Sequence, residues 1–131
     1  FAVAYKEYAM SAIRQDRLNE EIKKAVSEII FEMKDPRVSS MATITQAEVT
    51  NDLKQAKLRV SVYEQDELVR KGTIEALNHA AGFISRELGQ RIKIRRLPSL
   101  KFVLDTSIEY SVHIAHLIDK LNTQQKEQND D

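Results

Sequence analysis

The three histidines are the residues whose chemistry is easiest to recognise, because imidazole binds metals and transfers protons near neutral pH. His113 and His116 lie three residues apart, a spacing that can direct two imidazoles toward one metal ion on a helix. No third ligand or H-E-x-x-H glutamate accompanies them, and His79 stands alone. We therefore interpret the histidines as structural or surface residues and expect no metal site and no other cofactor.

No other group of residues forms the signature of an enzyme. The chain has no cysteine, which excludes disulfides, thiolate metal sites and cysteine nucleophiles. Its three glycines, Gly72, Gly82 and Gly89, are too widely spaced for a loop that cradles phosphates. None of its serines lies in a G-x-S-x-G nucleophile elbow. We expect a binding protein without catalytic activity.

Basic residues are concentrated in one part of a chain whose formal net charge is zero. Twenty Lys and Arg balance twenty Asp and Glu, yet residues 89–104 hold five basic residues and no acidic one. If this segment is an extended strand, alternate basic residues share one face with two cations of the preceding strand. Such a stripe is typical of a surface that binds RNA phosphates, although strand charges often serve only solvation. The candidate RNA-binding residues are Lys57, Arg59, Arg91, Lys93, Arg95 and Arg96.

A second candidate surface is Ala80-Ala81-Gly82, which interrupts an otherwise good helical pattern. Glycine inside a helix costs about 1 kcal/mol relative to alanine, so its presence indicates a special role. One interpretation is that Gly82 lets another backbone pack closely. The other is that the helix bends there into two, which exposes backbone and directs the positive end of the second helix toward an anion. The sequence leaves both interpretations open.

The hydrophobic patterns place these residues on an α+β scaffold. Apolar residues at three- and four-residue spacing over 13–33 predict a first helix, which Asp35-Pro36 ends. Two alternating runs, 42–49 and 56–62, predict a hairpin, and the phase slip near Gln46 indicates a β-bulge.

The middle of the chain predicts a strand–helix–strand crossover. Asp66 is expected to cap a helical stretch that Gly89 stops. A third strand is expected over 92–104, with Pro98 delaying regular pairing until Ser99. A right-handed crossover brings this strand parallel beside the second one.

The last helix and the two termini complete the expected architecture. Thr106-Ser107-Ile108-Glu109 is a capping box that starts a final helix. The order becomes αββααβα, with helices over one face of a three-stranded sheet and the other face open. Residues 1–9 are interpreted as a vector-derived leader before Met10, 10–121 as one domain, and 122–131 as a disordered acidic tail.

The composition is that of one small domain. At 131 residues the chain is long enough for one domain with a real core. Hydrophobic residues make up 42%, and no apolar run approaches the roughly 18 residues that cross a membrane. We expect neither a membrane span nor a signal peptide, and a cytoplasmic location.

Several short motifs stand in order along the chain. They are Arg14-x-x-Arg17 with Glu20-Glu21-Ile22, Glu32-Met33-Lys34-Asp35-Pro36-Arg37-Val38, Thr43-Ile44-Thr45, Asp52-Leu53-Lys54-x-Ala56-Lys57, Ala80-Ala81-Gly82-Phe83-Ile84, Leu88-Gly89, Leu97-Pro98-x-Leu100-x-Phe102 and Asp105-x-Ser107-Ile108-Glu109. Taken together they resemble the ribosome-binding factor A family of bacterial small-subunit maturation factors. The Lys-Asp-Pro-Arg and Asp-x-Ser-Ile-Glu blocks carry most of this resemblance.

The resemblance implies a type II KH-like fold, in which the Ala80-Ala81-Gly82 kink replaces the usual glycine-rich loop that grips RNA. It also implies a non-enzymatic protein that binds the free small ribosomal subunit near the first helix of its 16S ribosomal RNA. Assistance with 5′-end processing of that RNA, and importance in the cold, are implied as well. The implied partners are the small subunit and its 16S RNA, bound by a monomer. The alternative is a protein-interaction module whose open sheet face or last helix binds a protein without direct RNA contact.

Overall fold

The structure, a computed structural model, describes residues 2–94 and 96–129, and within them the side chains of residues 13–94, 96–107 and 112–124. The elements are α1 (Ala2–Met33), β1 (Ala42–Val49), β2 (Gln55–Val62), α2 (Glu67–His79), α3 (Ala81–Arg91), β3 (Ser99–Leu104) and α4 (Ser107–Asn129). This order confirms the predicted α+β class and the αββααβα arrangement.

The strands of the described chain form one sheet in the order β1-β2-β3. Strand β2 pairs antiparallel with β1 and parallel with β3, so the predicted hairpin and parallel crossover are confirmed. The β1–β2 register shifts between Ile44 and Gln46. Thr45 is therefore the extra residue of the predicted β-bulge.

Helices α1, α2 and α3 pack on one face of this sheet and enclose the core. The most deeply buried apolar side chains are Ile22, Val26, Ile29, Leu58, Val60, Leu77, Ile84, Leu88 and Phe102. Because strand side chains alternate in direction, the residues between the buried ones face the opposite way. They form a surface that we call the outer face, which includes Gln46, Glu48, Lys57, Arg59, Lys101 and Val103.

Amide side chains of two helices bond to backbone groups at both edges of the sheet. At the β1 edge, Val49 N–H donates to Asn19 Oδ1 at 2.9 Å, and Gln15 Nε2 donates to Val49 O at 2.7 Å. At the β3 edge, Phe102 N–H donates to Asn78 Oδ1 at 2.9 Å, and Asn78 Nδ2 donates to Phe102 O at 3.0 Å. These bonds fix α1 and α2 against the strands and satisfy backbone groups that lack a strand partner.

Strand β3 begins at Ser99, as expected from Pro98, but its predicted extension back to Ile92 is wrong. Ser99 pairs with Gln55, the first residue of β2, so β2 has no residue opposite the preceding segment. Pro98 also lacks an N–H to donate to a ladder. The described residues of 92–98 therefore form an irregular connection.

The prediction that Gly89 stops the helix is wrong, because α3 continues to Arg91. A Cβ at position 89 would lie 2.6 Å from Cδ2 of Leu97. The glycine therefore gives the returning chain room to pack on α3. Ser85 Oγ holds the same segment by donating to Pro98 O at 3.2 Å.

Helix α4 is attached to the sheet through Asp105. Ser107 N–H donates to Asp105 Oδ1 at 2.9 Å, so Asp105 satisfies the first backbone N–H of the helix. The predicted capping box includes Glu109, which lies outside the described side chains. Thr45 Oγ1 at the bulge donates to Asp105 Oδ2 at 2.6 Å. The hydrogen bond from Thr45, together with those from Ser107, lowers the pKa of Asp105 to about 2.

The structure continues α4 through residues 122–129, where the sequence predicts a disordered tail. This segment has no Gly or Pro and consists largely of Gln, Lys and Glu, which maintain a helix that has already started. Its lack of apolar residues excludes it from the core without preventing a solvated helix. At the other end α1 begins at Ala2, so the predicted leader is helical from that residue. The vector origin of that leader stays a prediction.

Removal of residues 122–131 is expected to change the free energy of unfolding by less than about 0.5 kcal/mol, because the described side chains there are exposed. Urea denaturation of the full and shortened chains measures the difference. A loss of more than about 2 kcal/mol would contradict this prediction and indicate that the end of α4 packs on the domain.

Asp105→Asn is expected to lower the free energy of unfolding at neutral pH by about 1–2 kcal/mol. Folding lowers the pKa of Asp105 from 3.8 to about 2, so its carboxylate stabilises the fold above pH 4. That contribution is lost as the pH falls through 4 toward 2, and the variant should show a flatter stability profile there. Asp16→Asn, at an exposed position on α1, is the control. Identical profiles for Asp105→Asn and the unchanged chain would contradict the prediction.

Candidate nucleic-acid interface

The structure separates basic residues that the sequence groups into one stripe. Arg91 lies in the last turn of α3 and not on a strand. Its guanidinium forms an ion pair with Glu32 and lies 3.7 Å from Glu28 Oε2, both on α1. The hydrogen bond from Arg91 lowers the pKa of Glu32. Arg91 therefore links α3 to α1, and carboxylates of the protein already balance its charge.

Lys93 and Arg96 lie exposed in the irregular segment 92–98, and neither forms an ion pair within the described part of the chain. Arg95 lies outside the described residues. Because the segment is not a strand, alternate residues do not share a face, and the predicted stripe is wrong in its geometry. Lys93 and Arg96 remain available cations beside α3.

Lys57 and Arg59 do share the outer face, as the alternation of β2 predicts. Arg59 Nε lies 3.6 Å from Glu48 Oε1 on the neighbouring strand. Lys57 lies opposite Glu48 on one side and opposite Lys101 on the other. Sequence reasoning missed Lys101 as a site residue, although its place between two buried residues of β3 indicates the outer face.

The helical stretch breaks at Ala80, which has φ −85° and ψ 0° and separates α2 from α3. The predicted bend is therefore confirmed. A Cβ on Gly82 would meet no described atom within 4 Å, so the close-packing interpretation is wrong. No described side chain caps the start of α3, and Gly82 and Phe83 are exposed there. Ala80 and Ala81 pack partly buried against the core, so Gly82 is the exposed residue of this helix junction.

His79, His113 and His116 are exposed. In the described ranges, no three His, Asp or Glu side chains come close enough together to hold a metal ion. No described helix is long and apolar enough to cross a bilayer. The described surface offers exposed cations as well as exposed apolar side chains, the latter mainly on α4.

One antiparallel and one parallel strand pair, helices on one face, and a broken helix between β2 and β3 define an α+β domain of the KH-like class. The family model of ribosome-binding factor A matches residues 14–118. The chain belongs to the ribosome-binding factor A family.

Relatives in two bacteria match over most of both chains. Ribosome-binding factor A of Caldanaerobacter subterraneus subsp. tengcongensis is 47% identical over 117 residues, which cover 88% of this chain and 95% of the relative. Ribosome-binding factor A of Clostridium novyi is 44% identical over 122 residues, which cover 92% of this chain and 98% of the relative.

Solved structures of the family have the same fold. The solution structure of a putative ribosome-binding factor A from Thermotoga maritima gives a TM-score of 0.66 at 31% identity, covering 75% of this chain and 92% of that one. The crystal structure of the Thermus thermophilus factor gives a TM-score of 0.61 at 27% identity, covering 69% of this chain and 94% of that one. A homology model of the Thermus thermophilus factor was fitted into a cryo-EM map of a 30S complex with that factor. It gives a TM-score of 0.56 at 26% identity, and the match covers 67% of this chain and 91% of that one.

Gly82→Ala is expected to raise the free energy of unfolding by about 0.5–1 kcal/mol, because alanine favours a helix and its methyl group has open space. Gly72→Ala in α2 is the matched control, since its surroundings are equally open. Chemical denaturation of both variants measures the gain. Destabilisation by about 1–3 kcal/mol in Gly82→Ala alone would restore the close-packing interpretation.

Proposed function

We propose that this protein binds the immature small ribosomal subunit in the cytoplasm and assists its maturation. It acts near the first helix of the 16S ribosomal RNA, favours processing of the 5′ end of that RNA, and matters most in the cold. The observation that carries the proposal is the relative of the same fold that was fitted into a map of a 30S complex. The family match over residues 14–118 supports it as well.

The mechanism in this proposal is binding without catalysis. A protein that binds one RNA conformation more tightly than another shifts the equilibrium between them by the ratio of the two affinities. A tenfold preference corresponds to about 1.4 kcal/mol. This bias is most useful in the cold, when misfolded RNA helices rearrange slowly.

The contacts that fit this mechanism are made to the RNA backbone. Arg59 and Arg91 already have carboxylate partners, so Lys93 and Arg96 are the better candidates for phosphate contacts beside α3. The exposed helix junction at Gly82 lets a backbone approach α3 without a steric barrier. Among the described side chains, three aromatic residues are exposed, Phe31, Tyr63 and Phe83, which is a small stacking surface and favours recognition of backbone and shape over sequence.

Lys93→Ala combined with Arg96→Ala is expected to weaken binding to small subunits and to reduce the log–log salt slope by about one to two units. Cosedimentation with separated small and large subunits at two salt concentrations measures both quantities. Each substitution should change stability by no more than about 0.5 kcal/mol, because the side chains are exposed. Lys24→Ala with Lys71→Ala, at exposed positions of α1 and α2, is the control of equal charge.

The outcomes separate the function from the residues that carry it. Absence of cosedimentation of the unchanged protein with small subunits would contradict the proposed function. If Lys93→Ala with Arg96→Ala keeps normal affinity and salt slope, the proposed function stands, but segment 92–98 does not contact the RNA.

A protein-interaction module is the second candidate, and the exposed apolar side chains of α4 favour it. These are Val112, Ile114, Leu117, Ile118 and Leu121. An open cavity of about 470 Å³ lined in part by Ile30, Phe31 and Val38 is a further apolar feature of the surface. Subunit binding that does not depend on salt would support this candidate, since contacts between apolar side chains release no counterions.

A further inference from the structure

Lys57 on β2 and Lys101 on β3 are direct register partners across the parallel strand pair. Both side chains are exposed on the outer face, and neighbouring strands lie about 4.8 Å apart. Like charges directly opposite each other destabilise a sheet. The stability of the fold therefore does not explain why two lysines are placed together here.

The carboxylate in the same row does not neutralise this lysine pair. Glu48 lies opposite Lys57 across the antiparallel pair, but its Oε1 atom lies 3.6 Å from Arg59 Nε in the next row. Within the described chain, neither Lys57 nor Lys101 has an ion-pair partner. Two exposed ammonium groups thus share one patch of the sheet with a single carboxylate, Glu48, which forms its ion pair with Arg59.

The surroundings of the lysine pair form a shallow depression on the outer face. It lies between the hairpin turn 50–54 and the first residues of β3, and Gln55 and Ser99 contribute to its lining, together with Glu48 at its β1 side. The amide of Gln55 and the hydroxyl of Ser99 add neutral hydrogen-bond donors to the two charges. A negatively charged group with several acceptor oxygens suits this depression.

We infer that Lys57 and Lys101 together bind one phosphodiester group of RNA on the outer face of the sheet. The inference rests on the proposed function, which supplies RNA as the partner. Each ammonium group has three donors, and the two unesterified oxygens of a phosphodiester carry one negative charge, so the two lysines bracket a single phosphate. Helices α2 and α3 pack on the other side of the sheet, so this contact is separate from the helix junction.

Lys57→Gln with Lys101→Gln tests the assignment in the full chain. The dissociation constant for purified small subunits at about 0.1 M salt should rise about tenfold, and the log–log salt slope should fall by about one to two units. The melting temperature should stay unchanged or rise, because the repulsion between the lysines is gone. Lys24→Gln with Lys71→Gln removes the same charge from the helices and should change neither the affinity nor the slope.

The same assay distinguishes failure of this inference from failure of the proposed function. If Lys57→Gln with Lys101→Gln binds small subunits with the affinity and salt slope of the unchanged protein, the inference is overturned and the proposed function stands. If the unchanged protein does not bind small subunits, the proposed function fails. Binding of a fluorescent oligouridylate to the unchanged protein and to the two double variants then tests whether Lys57 and Lys101 bind a phosphodiester. Polyglutamate that competes as well as the oligouridylate at equal charge would overturn the inference in favour of an acidic protein segment.

Discussion

Strand β2 hydrogen-bonds to β1 on one side and to β3 on the other, so each of its side chains has only two directions available. Alternate residues of β2 are almost completely buried beneath the helices, namely Ala56, Leu58, Val60 and Val62. Lys57 and Arg59 must therefore face the other way. A shift of one residue would bury these cations and expose the core, a change that a fold stable by about 5–15 kcal/mol does not tolerate. The helical layer and the charges of the outer face both depend on this strand.

The parts of the fold that local pattern determines could be predicted from the sequence. The phase slip near Gln46 indicates the bulge, which is centred on Thr45, and Asp66 caps α2 by accepting a hydrogen bond from Leu68 N–H at 2.9 Å. Gly89 shows where such reasoning ends. Its role depends on Leu97, which lies against it only because the chain turns back after α3. In the sequence alone, a glycine that leaves space for a distant side chain cannot be distinguished from one that ends a helix.

The candidate site was predictable only in part, because tertiary packing decides which charges find partners. Arg91 and Lys93 look alike in the sequence, yet Arg91 forms an ion pair with Glu32 of α1, while Lys93 has no ion-pair partner among the described residues. The alternation of β3 places Lys101 on the outer face. Its pairing with Lys57 depends on the parallel register, which is set by where β2 and β3 begin and not by the residues between.

The amide side chains at the two edges of the sheet also limit which other chains can join it. A free edge strand is a template for strands of other polypeptides, and such addition is a common start of aggregation. Here Gln15 and Asn19 bond to the backbone of Val49, and Asn78 bonds to the backbone of Phe102. An incoming strand must first displace these amides and detach a helix from its own sheet. Resistance to edge-to-edge aggregation thus comes from the same bonds that hold the helices in place.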